Sequence, residues 1–359
     1  MSERLRALRA LIARRLPQAA ALVIAGDANR RYLSGFRGDA GLLWVTPTDA
    51  ALVTDSRFWE QAELEAPDWH LVRVEKRATV EFIADLCAAA GVTALAFESG
   101  ETTYATYRAW RRRLKGIRLL PAPDLLAELR LVKDPGELAA IRRAAALTDL
   151  VFVQWLPSVR AGASEVDLAI NLEYALRRAG AAAVSFPPIV ASGARGAMAH
   201  AIPGRAVLAA GDVVVVDVGA VVDGYCSDMT RTVLVPGGQP PAGAQEVWGV
   251  VRQALDAGLA AVRPGATGVA VDAAARAVIE AAGYGERFGH GTGHGVGLAV
   301  HEGPRLSPLA DPRVCLPAGA VVTVEPGIYL PGRFGVRLEQ LVHVGGGGAE
   351  ILSGAPVQL

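Results

Sequence analysis

The chain has 359 residues, 52% of them hydrophobic, which is enough for two domains with sizeable cores. Lys plus Arg and Asp plus Glu are equal at 36 each, so no excess of charge points to nucleic acid or to a membrane surface. Only Lys76, Lys115 and Lys133 are lysines, and with the many Ala, Gly and Pro this Arg bias reads as genomic base composition. Cys87, Cys226 and Cys315 are odd in number and lack C-x-x-C spacing, which argues for a reducing compartment and against a disulfide frame. No apolar run approaches the ~18 residues of a membrane helix.

Apolar residues at helical spacing, with Arg interleaved, predict a helix over Leu5 to Leu16. An Arg-rich start can be a transit peptide, but Glu3 and the direct run into a strand at Ala21 to Gly26 favour a surface helix and a cytoplasmic protein. Strands then follow at Leu42 to Val45, Ala50 to Thr54 and Ala94 to Glu98. Helices follow at Arg57 to Glu65, Val80 to Ala90 and Tyr104 to Leu114. This alternation predicts a small α/β domain over residues 1–130 with a mostly parallel or mixed sheet. It holds no evident catalytic constellation: Asp55 and Arg57 read as a solvated strand end, and the stretch from Asn29 to Tyr32 is ambiguous. The boundary falls near Leu125 to Pro135. There Asp134-Pro135-Gly136-Glu137 starts a helix, with Asp as N-cap, Pro at N1 and Glu at N3. That helix runs to about Leu156 and a second spans Ser164 to Ala179. An edge or irregular strand at Phe186 to Ser192 follows, and then a loop bearing His200.

The stretch Val213 to Val235 reads VVVVDVGAVVDGYCSDMTRTVLV, two β-branched runs around a Gly-containing turn, which predicts a hairpin. Asp217 and Asp228 sit on its arms. Either Asp228 caps a turn and Asp217 bonds to backbone N–H groups, or a cation lies between the two carboxylates. A second stretch has the same grammar. Gly211 to Gly219 aligns without gaps on Gly319 to Gly327, placing Asp217 on Glu325, and Gly224 to Asp228 aligns on Gly335 to Glu339. Upstream, Arg160-Ala-Gly-Ala-Ser164 matches Arg263-Pro-Gly-Ala-Thr267, and further helices are expected at Gly243 to Ala261 and Gly268 to Ala282. Residues from about Glu137 onward therefore read as an internal duplication, whose pseudo-two-fold sets four carboxylates face to face. Like charges gathered in that way must be neutralised.

Three of the six histidines, His290, His294 and His301, fall within twelve residues among glycines that bar a regular helix. One imidazole and four carboxylates suit two divalent ions of intermediate hardness, such as Mn²⁺, Co²⁺, Zn²⁺ or Fe²⁺. A two-metal site ~3.5 Å across activates water and polarises a carbonyl. His200, His290 and His301 are then free to hydrogen-bond an oxyanion or a substrate end. The residues alone point to amide or ester hydrolysis and name no substrate.

The string DVGAVVDGYCSDMTRT from Asp217, followed by GTGHGVGLAVHEGP, VEPGIYL and GVRLE, resembles the pita-bread metallopeptidases across the C-terminal domain, residues 131–359. The resemblance implies an α+β pita-bread fold with Asp217, Asp228, His294, Glu325 and Glu339 as metal ligands. Asp228 and Glu339 would bridge the two ions. His200 and His301 match histidines that contact substrate and intermediate, and Glu325 matches a proton shuttle. Tyr329 and Arg337 match residues that support the ligands, with His290 beside them. Tyr32-Leu-Ser-Gly-Phe36 and Thr54-Asp55-Ser-Arg57-Phe58 resemble the creatinase-type N-terminal domain of Xaa-Pro peptidases. That implies a prolidase or aminopeptidase P, commonly homodimeric, with Mn²⁺ the first choice of metal. Gln340 departs from the family's frequent Asp. Arg305 resembles an Arg that some prolidases place near a dipeptide's carboxylate; a solvated loop position, or pairing with Glu302, is its plainer reading. Two alternatives stand beside this one. The first is a methionine aminopeptidase or creatinase-like hydrolase, and the second a peptide-binding relative without catalysis.

Overall fold

The computed structural model describes residues 3–359, and the chain divides after Arg130 into two compact units. In the first, α1 (Glu3–Arg15) precedes β1 (Ala21–Ile24), α2 (Asp27–Ser34), β2 (Leu42–Val45) and β3 (Ala50–Asp55). Next come α3 (Trp59–Glu65), β4 (His70–Val74), α4 (Thr79–Ala89), β5 (Ala94–Glu98), α5 (Tyr104–Arg113), β6 (Arg118–Ala122) and α6 (Leu125–Arg130). The strands make one mixed sheet in the order β4-β3-β2-β1-β5-β6, with β2 antiparallel to both neighbours and the other pairs parallel. Val23, Trp44, Val53, Leu95 and Phe97 bury one face of this sheet under α4 and α5, through Ile83 and Trp110. The expected helix at Arg57 begins later, at Trp59, because Asp55 to Phe58 form a turn in which Arg57 forks onto Asp55 at 2.9 Å in solvent. Asn29 lies in α2, where its Nδ2 donates to Glu98 at 2.7 Å and its Oδ1 accepts from Arg130 at 2.8 Å.

The second unit opens with α7 (Pro135–Trp155), whose capping box is complete: Glu137 N–H donates to Asp134, and the Glu137 side chain accepts from the Asp134 N–H. Then come α8 (Glu165–Arg178), β7 (Ala183–Val184), β8 (Ile189–Ser192), β9 (Val213–Val218), β10 (Ala220–Val222), β11 (Tyr225–Cys226) and β12 (Met229–Leu234). The chain continues through α9 (Ala244–Ala261), α10 (Gly268–Ala281), β13 (Gly293–Gly295), β14 (Glu302–Leu306), β15 (Val321–Val324) and β16 (Gly327–Leu330). It closes with β17 (Phe334–Arg337), β18 (Gln340–Gly345) and β19 (Gly348–Ile351).

Each expected hairpin is more elaborate than two strands and a turn. β9 pairs antiparallel with β12, but the chain between them forms a separate hairpin, β10–β11, which sheets with β7. At its tip, Asp223 (φ 50°) and Gly224 (φ 82°) both take the left-handed region that a tight two-residue turn requires. Likewise β15 pairs with β18, and β16–β17 is inserted between them. The insertion lifts the second carboxylate of each half out of the turn and onto the start of the returning strand.

Two helix layers cover the strands. Val214, Val216 and Val218 of β9 pack with α7 and α8 residues such as Phe152, Leu168 and Leu172. Val322 and Val324 of β15 pack with Val251, Leu255, Val271 and Ile279 of α9 and α10. Period-two alternation therefore turns Asp217 away from its helix layer. Ser164 and Thr267, the matched residues of the duplication, are both N-caps, accepting from Asp167 N–H and Ala270 N–H. Among the described residues, no helix is long and apolar enough to cross a membrane. Cys87, Cys226 and Cys315 are all unpaired.

Candidate metal centre

A cavity of about 550 Å³ opens within the second unit. Asp217, Asp228, His294, Glu325 and Glu339 all reach it, as do His200, His290, His301, Arg305 and Arg337. Tyr329 stands behind this wall and hydrogen-bonds to two residues of it. Asp228, His294 and Glu339 each offer a ligand atom within 4.8 Å of the others. Glu325 joins them through His294, its Oε1 lying 3.4 Å from Nε2, while Asp228 Oδ2 lies 3.7 Å from the same nitrogen. His294 Nδ1 faces the Gly295 carbonyl at 3.1 Å, and a carbonyl only accepts. Nδ1 therefore holds the proton, and Nε2 presents its lone pair to the carboxylates.

Burial and mutual repulsion act together on these acids. Burial, then the neighbouring Glu339, Asp217 and Glu325, pushes Asp228 well above the usual carboxylate range. Burial, then Glu325 and Asp217, does the same to Glu339, and burial pushes Glu325 up to about 8. Burial lowers both His294 and His290 to about 4, so neither imidazole supplies positive charge at neutral pH.

Among the described residues, Arg337 is the one guanidinium that donates to any of the four carboxylates, with Nη2 2.6 Å from Asp217 Oδ2. The other Asp217 oxygen, Oδ1, is buried and has no hydrogen-bond partner among the described residues. A chain of bonds explains this orientation. His290 Nδ1 donates to Gly291 O at 2.8 Å, so its Nε2 accepts the Tyr329 hydroxyl, also at 2.8 Å. Tyr329 Oη in turn accepts from Arg337 Nη1 at 2.9 Å. Arg337 is the donor at the head of both branches: Nη1 starts the run through Tyr329 and His290 to the Gly291 carbonyl, and Nη2 donates to Asp217 Oδ2. Glu339 is fixed similarly: Thr230 Oγ1 donates to its Oε2 at 2.8 Å and accepts from Arg337 Nε at 3.0 Å.

Thr230 and Arg231 are participants that the motif reading missed. Arg231 is fully buried and donates to the carbonyls of Thr230, Glu339 and Ala355. Gln340 receives its Nη2 at 3.3 Å, a long bond where the family often has a carboxylate. The visible signal was their place two and three residues after Asp228, within the string DVGAVVDGYCSDMTRT. His301 stacks its ring edge on His294, centroids 4.3 Å apart. Arg305 is exposed on β14 directly across the ladder from His294. It does not pair with Glu302, whose carboxylate binds the buried Lys133 Nζ at 2.7 Å.

The pattern described as "Metallopeptidase family M24" matches residues 139–345, and "Creatinase/Prolidase N-terminal domain" matches residues 4–132. The chain belongs to metallopeptidase family M24. A solved Xaa-Pro dipeptidase from Bacillus anthracis is 35% identical and covers 99% of this chain and 98% of its own, with a TM-score of 0.94. An X-Pro aminopeptidase from Thermotoga maritima MSB8 is also 35% identical, covers 95% and 97%, and has a TM-score of 0.87. The Bacillus subtilis protein named "Uncharacterized peptidase YqhT" is 38% identical over 94% of both chains. This M24 metallopeptidase thus combines a creatinase-type first unit with a pita-bread second unit.

Proposed function

We propose that the chain is a dinuclear-metal Xaa-Pro peptidase that hydrolyses the bond between an N-terminal residue and a following proline. One observation carries the reading: four carboxylates converge on one cavity with one guanidinium among them, and a buried Asp217 oxygen has no partner. Hard oxygen donors plus one neutral imidazole nitrogen fit two divalent ions, Mn²⁺ first, and fit neither bare burial nor a core packed for stability. Asp217, Asp228, His294, Glu325 and Glu339 would hold them, with Asp228 and Glu339 shared. When bound, such ions supply Lewis acidity, lowering the pKa of water and polarising the scissile carbonyl.

The remaining work falls to side chains of this protein. His294 Nδ1–H on the Gly295 carbonyl keeps Nε2 directed inward. Arg337 and Tyr329 hold Asp217 in one rotamer. Glu325 Oε1 receives only a long hydrogen bond from Thr323, at 3.4 Å. It therefore has capacity to take a proton from the attacking water and deliver it to the leaving prolyl nitrogen. His200 and His301, which both line the cavity, would contact the substrate carbonyl and the developing oxyanion. The similarity to dipeptidases and to an aminopeptidase leaves two substrate lengths open, and the exposed Arg305 favours dipeptides, whose carboxylate lies just beyond the proline. We further propose a cytoplasmic homodimer, as the family pattern implies.

The test is a panel of Xaa-Pro dipeptides and Xaa-Pro-Yaa tripeptides assayed with Mn²⁺, Co²⁺ or Zn²⁺ after exhaustive chelation. Proline-dependent cleavage, abolished by chelation and restored by a divalent ion, is expected. Equal cleavage of Met-Ala peptides would instead favour a methionine aminopeptidase. Absence of cleavage with metal bound would favour a peptide-binding relative.

A further inference from the structure

His200 stands on a largely exposed loop: Met198 is 48% and Ile202 is 82% accessible, while Ala201 between His200 and Ile202 is buried. What ties it down begins on α8. Glu165, the first residue of that helix, is fully buried. Its Oε1 accepts the Ser192 N–H at 2.8 Å and the Ser192 hydroxyl at 2.9 Å. Its Oε2 accepts Arg195 Nε at 2.8 Å and the Gly204 N–H at 3.1 Å. Arg195 then reaches across the loop, Nη2 donating to the Ile202 carbonyl at 2.5 Å. One carboxylate therefore grips both stems of the loop, and one guanidinium braces its middle. Near its tip, Arg337 Nη1 also donates to the Ala199 carbonyl at 3.0 Å.

The same chemistry recurs where His290 is carried. Asp272 of α10, also buried, accepts the Thr292 N–H at 3.0 Å and its hydroxyl at 2.9 Å, together with Arg276 Nε at 2.8 Å. Arg276 donates onward to the carbonyls of Phe288 and His290 at 2.9 and 2.7 Å. The two devices are not copies left by duplication. Ile189 of β8 pairs with Asp217, and Thr292 O accepts from Glu325 N–H, so Thr292 corresponds to Ile189 and not to Ser192. One clamp holds the chain leaving its strand and the other the chain entering it. Their common property is that each steadies a segment bearing a cavity histidine.

We infer that the Glu165–Arg195 pair is a positioning device for His200: it sets where the imidazole stands at the substrate end of the cavity, without touching substrate itself. The inference rests on the peptidase reading above. A buried carboxylate paired with a guanidinium that is 37% exposed commonly serves folding alone, so the test must separate acting through His200 from general support. A double-mutant cycle does so, because residues acting through one another give non-additive losses. Arg195→Met is made in the wild-type and His200→Ala backgrounds, with Arg195→Lys as the conservative variant. Hydrolysis of an Xaa-Pro dipeptide, bound metal content and amide exchange are measured in each.

Arg195→Met should lower kcat by roughly 10- to 100-fold, the range for residues that orient a functional group. It should leave metal content unchanged and have almost no further effect once His200 is gone. Exchange should quicken at the Met198 and Ala201 amides, whose loop hydrogen bonds run to Arg195 O and Met198 O. Arg195→Lys, which keeps the charge on Glu165 but loses the fork, should fall between. Additive losses in the two backgrounds, or unchanged exchange at those amides, would overturn the inference. If Arg195→Met does not fold, the cycle is run with Arg195→Lys and read by the same criteria. A wild-type protein inactive on Xaa-Pro peptides would sink the peptidase reading, and the exchange measurement would still decide whether Arg195 orders the loop.

Discussion

Glu98 in the first unit and the acid cluster in the second are both buried carboxylates, and they are treated in opposite ways. Glu98 accepts the Ala25 and Gly26 N–H groups at 2.7 and 2.8 Å and the Asn29 amide at 2.7 Å, so both its oxygens are used. Burial raises its pKa, and those three donors pull it back. In the second unit, burial raises Asp228, Glu339 and Glu325, the Glu325 and Asp217 carboxylates push Asp228 and Glu339 further up, and Asp217 Oδ1 is buried with no hydrogen-bond partner among the described residues. A buried acid satisfied by the protein is architecture. Several gathered together, with one buried oxygen left without a partner among the described residues, are a site built for something the chain does not itself contain.

The largest effect should come from breaking the cluster at its shared member. Asp228→Asn is expected to lower kcat/KM at least about 10³-fold, on the order of 4 kcal/mol, and to reduce both metal equivalents together. Titration of the variant with Mn²⁺ followed by calorimetry checks this. Two ions bound at wild-type affinity would remove Asp228 from the ligand set.

A smaller effect tests whether burial in the second unit also holds His290 neutral. Its pKa is about 4 in the folded protein against 6.5 unfolded. The unfolded chain therefore binds the extra proton between those values. The stability is complete above pH 6.5 and is lost as pH falls towards 4, by up to about 3 kcal/mol. Urea melts of metal-free wild type and His290→Gln at pH 7 and pH 4.5 should show a shallower pH dependence in the variant. Identical slopes would mean that the imidazole is not desolvated.

Arg305 tests whether a cation outside the cluster serves the substrate. Arg305→Ala should weaken Xaa-Pro dipeptide hydrolysis by about 2 kcal/mol in kcat/KM, the scale of a charged hydrogen bond, and scarcely alter Xaa-Pro-Yaa tripeptides. Equal losses on both substrates, or none on either, would end its assignment as the selectivity element.

Much of this contrast was legible in the chain before any coordinates. The β-branched runs around Asp217 and Glu325, the alignment of the two halves and the Asp134 cap each rest on local chemistry, and the elements formed within a residue or two of expectation. Four elements of the first unit were not legible, α2, β4, β6 and α6. α2 has eight residues and a polar run from Asn29 to Arg31, too short and too charged to show a helical period. β4 and β6 are the two edge strands of the sheet, and α6 falls in the stretch from Leu125 to Pro135 that was read as the domain boundary. The four candidate carboxylates were readable because acid positions recur between the two aligned halves, and His294 through the resemblance. Glu165, Asp272 and Thr230 were not, because they bond to groups in distant stretches of the chain that spacing does not reveal. Glu165 in particular looks like any acid in a helix's first turn.

The last prediction sets the two kinds of buried acid against each other by sign. Glu98→Gln keeps the shape of the side chain but replaces one accepting oxygen with an NH₂ group. The Asn29 amide cannot rotate to meet it, because Asn29 Oδ1 already accepts from Arg130 at 2.8 Å. Two donors then face each other, and the variant should lose about 1–2 kcal/mol of stability with activity and metal content unchanged. Asp228→Asn in the metal-free protein should do the reverse. At neutral pH the wild-type carboxyl must either stay charged against Glu339, Asp217 and Glu325 or take up a proton that the unfolded chain does not hold. The amide avoids both costs, so the metal-free variant should melt higher than metal-free wild type. Added metal should invert the order, stabilising wild type and not the variant. If both substitutions shift the metal-free melting temperature in the same direction, the distinction between a satisfied acid and an acid awaiting a cation fails.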